Sequence, residues 1–352
     1  MKWYRKAALR GHAGAQYNLG VSLREGEGVR RDRRAAFRWF MKSAAQGNAW
    51  AEGAVGFAYS HGLGVRRDDV AAVKWYRRAA EHGRPTAQYN LGLRYLRGHG
   101  VRRDPRQGVF WFRKAARAGD EDAMLELGLC YLEGTGTRRD LRRGLAWVRK
   151  AVSCGSPEAM NSLGYHYHEG ESIRKNFRLA VHWYRKAAVK GNPDAQSNLA
   201  LCYLHGEGVR KNPRTAVKWA RHAAAQDHTT AMSTLGSCYM DGEGVRKDYA
   251  KAVHWLRRAA ADGYANAQEM LGICLHNGWG TRQDFAASVT CYRKAAAAGN
   301  AWAMYLLGLC YADGEGVKQS RRTAATWFAK AADLGISEAR AALRRLQRVA
   351  RK

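Results

Sequence analysis

Ser172 and Lys175 stand in the S-x-x-K spacing by which a lysine can activate a serine hydroxyl for acyl transfer, as in enzymes that open β-lactam rings. Those enzymes set the pair at a helix start and add S-D-N and K-T-G segments. This sequence has neither segment, and Ser172 occupies a position at which other stretches of the chain carry glycine. His166 and His168, in HYHEG, lie two apart on a helix and point to different faces, so they do not share one metal as the histidines of H-E-x-x-H do. His182 and His254 fall where other copies hold Arg38, Lys74 and Lys218, a solvated face. Cys130, Cys202, Cys238, Cys274 and Cys310 form one column on a buried stripe that elsewhere holds Ser22, Ala58, Arg94 and His166, and they read as small packing residues. Copies of a helix pair are spaced by roughly 10 Å, whereas zinc–sulfur bonds of about 2.3 Å need sulfurs within about 4 Å of each other. The column therefore does not close on one zinc ion. Gly-x-Gly pairs follow helices rather than strands and lack the lysine and Ser/Thr of a phosphate loop, so they read as turns. No catalytic residue, metal or cofactor is expected.

The elements that position these residues follow one period of 36 residues. Gly242 and Gly244 have counterparts starting at Gly26, Gly62, Gly98, Gly134, Gly170, Gly206, Gly278 and Gly314, with Ser172 the one break. Trp255 recurs as Trp3, Trp39, Trp75, Trp111, Trp147, Trp183, Trp219 and Trp327, interrupted by Cys291, and Ala231 recurs from Ala15 to Ala339. Such self-similarity marks a repeat array in which each unit buries its apolar face against its neighbours. One unit spells two helices. Ala231, Leu235, Cys238 and Tyr239 make the stripe of the first, where Gly236 permits close approach. Asp248 caps the second, whose stripe is Ala252, Val253, Leu256, Ala259 and Ala260, with the tryptophan as a large buried aromatic at its flank. Pro85, Pro157 and Pro193 fall in first turns, where proline is tolerated.

The pattern A-x3-LG-x2-Y-x2-G-x-GV-x2-D-x3-A-x2-W-x3-AA-x2-G resembles the Sel-one-like repeat (SLR) family, a relative of the tetratricopeptide repeat. The expected fold is all-α: a right-handed α/α solenoid with a second-type helix over 1–12, nine repeats over 13–336 and a capping helix over 337–352. The resemblance implies a non-catalytic interaction scaffold or adaptor that binds a protein or peptide. It also brings a β-lactamase-like degenerate hydrolase around Ser172 into view as an alternative. Disulfide-rich members of the family pair cysteines across the two helices of a unit. Here the second helices lack a matching column, which fits a reducing, cytoplasmic compartment. No apolar run approaches the roughly 18 residues of a membrane span, the opening MKWYRKAALRG reads as a second helix rather than a signal sequence, and a monomer is expected.

Charge supplies two candidate surfaces. The net charge is +30, from 43 Arg and 17 Lys against 30 acids. Nine seven-residue loop segments hold 26 of the Lys and Arg against seven Asp. Stacked repeats would align Arg30, Arg31, Arg66, Arg67, Arg102, Arg103, Arg138 and Arg139 as a basic ridge able to meet nucleic acid or an acidic partner; a codon bias toward arginine is the alternative source. The first helices carry the opposite sign. Aligned on tetratricopeptide repeats, their groove columns hold Arg24 and Arg97 against nine acids, among them Asp122, Glu133, Glu158 and Glu169. Tyr17, Trp50, Phe57, Tyr89, Leu93, Leu96, Tyr165, Trp302 and Tyr305 interleave with them, as an acid-rimmed apolar peptide groove.

Overall fold

In the computed structural model, residues 2–349 are described, with side chains from Trp3 to Leu346; residues 350–352 of the expected cap lie outside the described residues. Every regular element among them is an α-helix. Two compact units divide the chain, residues 1–163 and 164–352. The first holds α1 (Lys2–Leu9), α2 (Ala13–Glu25), α3 (Arg33–Ala44), α4 (Ala49–His61), α5 (Asp69–Glu81), α6 (Pro85–Arg97), α7 (Pro105–Arg117), α8 (Glu121–Glu133), α9 (Leu141–Ser153) and the start of α10 (Pro157–Glu169). The second holds the end of α10, then α11 (Phe177–Val189), α12 (Pro193–His205), α13 (Pro213–Ala224), α14 (Thr229–Asp241) and α15 (Tyr249–Ala261). It continues with α16 (Ala265–Asn277), α17 (Phe285–Ala297), α18 (Ala301–Asp313), α19 (Arg321–Asp333) and α20 (Ser337–Val349). Even-numbered helices are the first members of the pairs and odd-numbered ones the second, the arrangement of an α-solenoid.

The helix ends are set by local chemistry. At α3, α5 and α7 the caps Asp32, Asp68 and Asp104 accept the backbone N–H of a residue in the first turn, and Ser320 does so at α19. At the other end, α2 stops at Gly26, whose φ of 86° is left-handed. The second glycine of each pair has a different duty. A β-carbon on Gly64, φ +76°, would overlap the Arg33 carbonyl at the start of α3, one repeat earlier. The Gly-x-Gly turn thus both ends a helix and seats it on its neighbour.

Packing within a pair rests on glycine meeting a ring. Gly56 faces Tyr76, Gly164 faces Tyr184, Gly272 faces Tyr292 and Gly308 faces Phe328, each close enough that a β-carbon would fall within 2.8 Å of ring carbon. Those rings are almost fully buried. Between pairs, the Gln16, Gln88, Gln196 and Gln268 amides donate to carbonyls eight residues earlier, at 3.0–3.2 Å. Arg77, Arg185, Arg221 and Arg293 donate to the hydroxyls of Tyr95, Tyr203, Tyr239 and Tyr311.

The tryptophans correct the expectation of a buried column. Trp111 is 8% exposed, but Trp3 is 81% exposed and Trp39, Trp75, Trp147, Trp183, Trp219, Trp255 and Trp327 are half-buried. The residue after the tryptophan is the one turned into the core. The indole lies along the helix surface beneath the cation one turn later: Lys42 over Trp39 at 4.6 Å, Lys150 over Trp147 at 5.0 Å, Lys186 over Trp183 at 4.9 Å and Lys330 over Trp327 at 4.5 Å.

Candidate functional site

The first helices hold aromatic side chains that the core leaves partly uncovered, and second-helix rings fix their positions. Tyr17 packs on Phe40 at 5.8 Å, Tyr89 on Phe112 at 6.0 Å and Tyr305 on Phe328 at 5.8 Å, with interplanar angles of 41–42°. In each case the second-helix ring lies on the glycine three residues after the tyrosine, so the tyrosine stands upright at the rim of a buried ring. Trp50, Phe57, Tyr165 and Trp302 are 55%, 38%, 50% and 36% exposed.

In the first unit, Tyr17, Trp50 and Phe57 converge with Tyr76, Ala87 and Asn90 on an open cavity of about 250 Å³. Arg24 and Arg84 also line it, and the Arg84 guanidinium stacks on the Trp50 indole. The expected acid rim is therefore interrupted: Arg84, which closes the turn before α6, folds back over the aromatic surface. Acid begins one repeat further on, around α8. Burial raises the carboxyl pKa of Glu126, and Glu133 and Asp122 raise it further against the lowering effect of Arg97. Asp122 is raised by burial and by Asp120, Glu121 and Glu158, and Asp120 by burial. Beside them the Tyr89 phenol is pushed up to about 12, by burial first and then by Glu126. Glu126 was not among the groove columns read from the sequence; it lies one residue past the aligned column. Leu93 and Leu96 are half-buried against the Val109–Phe112 core, so these two serve packing more than the open face.

In the second unit, Trp302 lies 5.3 Å from Tyr305, and Tyr305, Leu309 and Phe328 line a cavity of about 450 Å³ with Asp313, Glu338, Arg321 and Arg345 at its edge. Glu169, expected as a rim charge, accepts the Nδ1 proton of His168 at 2.8 Å.

The sequence profile of the Sel1 repeat matches residues 1–12, 13–48, 51–83, 85–120, 121–156, 157–192, 193–228, 229–264, 265–300 and 303–336, nearly the whole chain. This chain belongs to the Sel1 repeat family. Two solved structures are similar in fold. One is a protective antigen of uropathogenic Escherichia coli with an SLR fold, 32% identical over 97% of this chain and 81% of that one, TM-score 0.63. The other is a Sel1 repeat protein of Oxalobacter formigenes, 32% identical over 87% of this chain and 90% of that one, TM-score 0.63. The comparison with curated proteins finds no match.

Within this Sel1 repeat chain the remaining sequence candidates find definite places. Arg30, Arg31, Arg66, Arg67, Arg102, Arg103, Arg138 and Arg139 are all exposed, in the loops between the helices of a pair. Two of the second members also cap helices: Arg103 and Arg139 Nε donate to the Leu96 and Leu132 carbonyls at 3.1 and 2.9 Å, whereas Arg67 donates to the Asp69 carboxylate at 2.9 Å. Ser172 sits in the loop between α10 and α11, off any helix, and the Lys175 ammonium lies over the Phe177 ring at 4.7 Å. The cysteine column is buried with free thiols, and burial pushes Cys130 and Cys202 up to about 12 and Cys238 up to about 11. No described helix is long and apolar enough to cross a membrane. One grouping escaped the sequence reading: donor atoms of His168, Cys202 and Glu207 lie within 4.8 Å of one another.

Proposed function

We propose that this protein is a non-catalytic interaction scaffold whose first helices take up a peptide or helix of another protein. The observation that carries the reading is the cavity of Tyr17, Trp50 and Phe57, where large aromatic groups are left open to solvent while Tyr17 rests on the Phe40 ring and packs on Trp50. Rigid aromatic anchors lose little entropy on binding and supply most interface energy. Membership in a family of solenoid repeats that act generally as protein-interaction scaffolds supports it.

Charge specifies the ligand further. A peptide seated over α2 to α8 places an aliphatic or aromatic anchor at Trp50, an acidic group near Arg24 and Arg84, and a Lys or Arg against Asp122, Glu126 and Glu133. An acid beside the anchor at the Trp50 end and a base at the α8 end of the ligand are the signature to look for. A display library of helical peptides that varies these three features, followed by anisotropy titration of the selected sequences, tests it. Trp50→Ala and Tyr89→Ala should each weaken binding by roughly 2 kcal/mol or more with circular dichroism unchanged, and Trp302→Ala should do the same for ligands of the second unit. Normal binding by these variants, with loss on neutralising the arginine loops, would move the working surface to the basic ridge and to a polyanionic or acidic partner.

A further inference from the structure

We propose that His168, Cys202 and Glu207 form a binding site for a divalent transition ion of the zinc class, oriented by Glu169. His168 lies in the last turn of α10, Cys202 in the third turn of α12, and Glu207 between the two glycines that follow α12. All three belong to the second unit. The repeat explains their meeting, because residues 34 apart on successive first helices are neighbours: Met240 and Cys274 stand in the same relation, with sulfurs 3.8 Å apart.

The contacts already present are those a metal site needs. Glu207 Oε2 lies 2.9 Å from His168 Nε2, and Glu169 Oε1 lies 2.8 Å from Nδ1. A carboxylate on the far nitrogen fixes the tautomer and aims the other nitrogen at the ion. Without the ion each ring nitrogen faces one carboxylate; on binding, the ion takes the place of the Nε2 proton and of the Cys202 thiol proton, and both are released to solvent. Bonds of about 2.0–2.3 Å set the ligand atoms of a tetrahedral ion roughly 3.3–3.8 Å apart, so atoms that lie within 4.8 Å of one another shift by no more than about an ångström, with Nε2 and Oε2 opening slightly from 2.9 Å. Three protein ligands leave the fourth position of a tetrahedral ion to water. A mixed nitrogen, sulfur and oxygen set favours zinc or cobalt over magnesium or calcium. Entry is open, since the His168 and Glu207 side chains are 25% and 36% exposed while Cys202 closes the inner end.

The chain contains its own comparison. The same three residue types recur at the same spacing as His276, Cys310 and Glu315, with Nε2 3.3 Å from Glu315. There the residue after the histidine is Asn277, whose amide donates to the Ile273 carbonyl, and His276 Nδ1 has no hydrogen-bond partner. The carboxylate that orients the ring is the difference, and it assigns the ion to the first set.

The test is titration of the full-length, chelator-treated and reduced protein with cobalt(II), followed by its thiolate charge-transfer absorption and by displacement with zinc. One equivalent is expected. Cys202→Ala, which copies Ala58 of another repeat, should abolish the band, Glu169→Gln should weaken binding by roughly 10–100-fold, and Cys310→Ala should leave it unchanged. Should Cys202→Ala fail to fold, the surface variant Glu207→Gln serves instead, with at least tenfold weaker binding expected. Absence of a stoichiometric cobalt–sulfur band in the wild type, a band that survives Cys202→Ala, or one lost only in Cys310→Ala overturns the proposal.

Discussion

The ring of Phe112 lies directly on Gly92, so that a β-carbon at the glycine would come within 2.6 Å of Cδ1 and Cε1. Phe112 is fully buried and cannot swing away without leaving a void. Gly92→Ala should therefore destabilise the first unit by about 1–3 kcal/mol, the usual cost of overpacking. One repeat shows the escape route: Ala200 replaces the glycine where the second helix carries Ala220 in place of a ring, and both are buried. Gly92→Ala combined with Phe112→Ala should accordingly lose less than the sum of the single changes. Urea denaturation of the four proteins measures the coupling, and strict additivity would show that the two positions do not compete for the same space.

The neighbouring column ranks two aromatic residues against each other. Tyr184 is 2% exposed, whereas Trp183 is half-buried under Lys186. Tyr184→Ala should cost about 3–5 kcal/mol, and Trp183→Ala about 1–2 kcal/mol, in keeping with its smaller buried area. Denaturant midpoints of the two variants decide the order; a larger loss at Trp183 would return the tryptophan to the core.

The fold was legible because its signals are local and repeated. Asp248 and its equivalents cap helices, Gly242 and Gly244 turn the chain, and Leu235 and Val253 mark the buried stripes, each acting within a few residues of itself. The tryptophan is misleading because its size suggests burial; the wheel places Trp255 at the stripe's edge, and Leu256 takes the centre. Relations between repeats were harder to read. Arg221 finds Tyr239 and His168 finds Glu207 only after helices stack, so no single unit displays them. Arg84 is not legible for another reason: it lies in a turn, outside the helical columns, and reaches back to Trp50 of the preceding pair.

The basic loops offer a substitution that removes charge without removing structure. Gln283 and Gln319 occupy the column of Arg139 and donate to the His276 and Ala312 carbonyls at 2.8 and 2.7 Å, as Arg139 does to Leu132. Replacing Arg138, Arg139, Arg142 and Arg143 with Gln should keep the cap and leave the melting curve within about 0.5 kcal/mol, the usual range for surface changes. If the ridge meets polyanions, affinity for a labelled oligonucleotide should fall steeply with salt in the wild type, and the log–log slope should become shallower by up to about four in the variant. An unchanged slope would leave these arginines without a phosphate to neutralise.

Glu126 separates stability from binding most sharply. Burial raises its pKa, with Glu133 and Asp122 adding to the effect, so the folded chain disfavours its ionised form. A carboxyl raised in the folded state contributes stability that is fully present below its unfolded pKa and is lost as pH rises through the folded one. Glu126→Gln should therefore match the wild type at acid pH and be more stable than it at neutral pH. Binding should run the other way. A Lys or Arg of the ligand placed at Asp122 and Glu126 favours the carboxylates that folding disfavours, so the complex should weaken as pH falls through the raised carboxyl range. Glu126→Gln should cost about 1.4 kcal/mol, tenfold in Kd, at neutral pH and remove part of that pH dependence. Anisotropy titrations across pH, paired with melting curves, read both effects on the same samples. A variant that is both less stable and equally tight in binding would place Glu126 among the structural groups and take the basic end of the ligand away from α8.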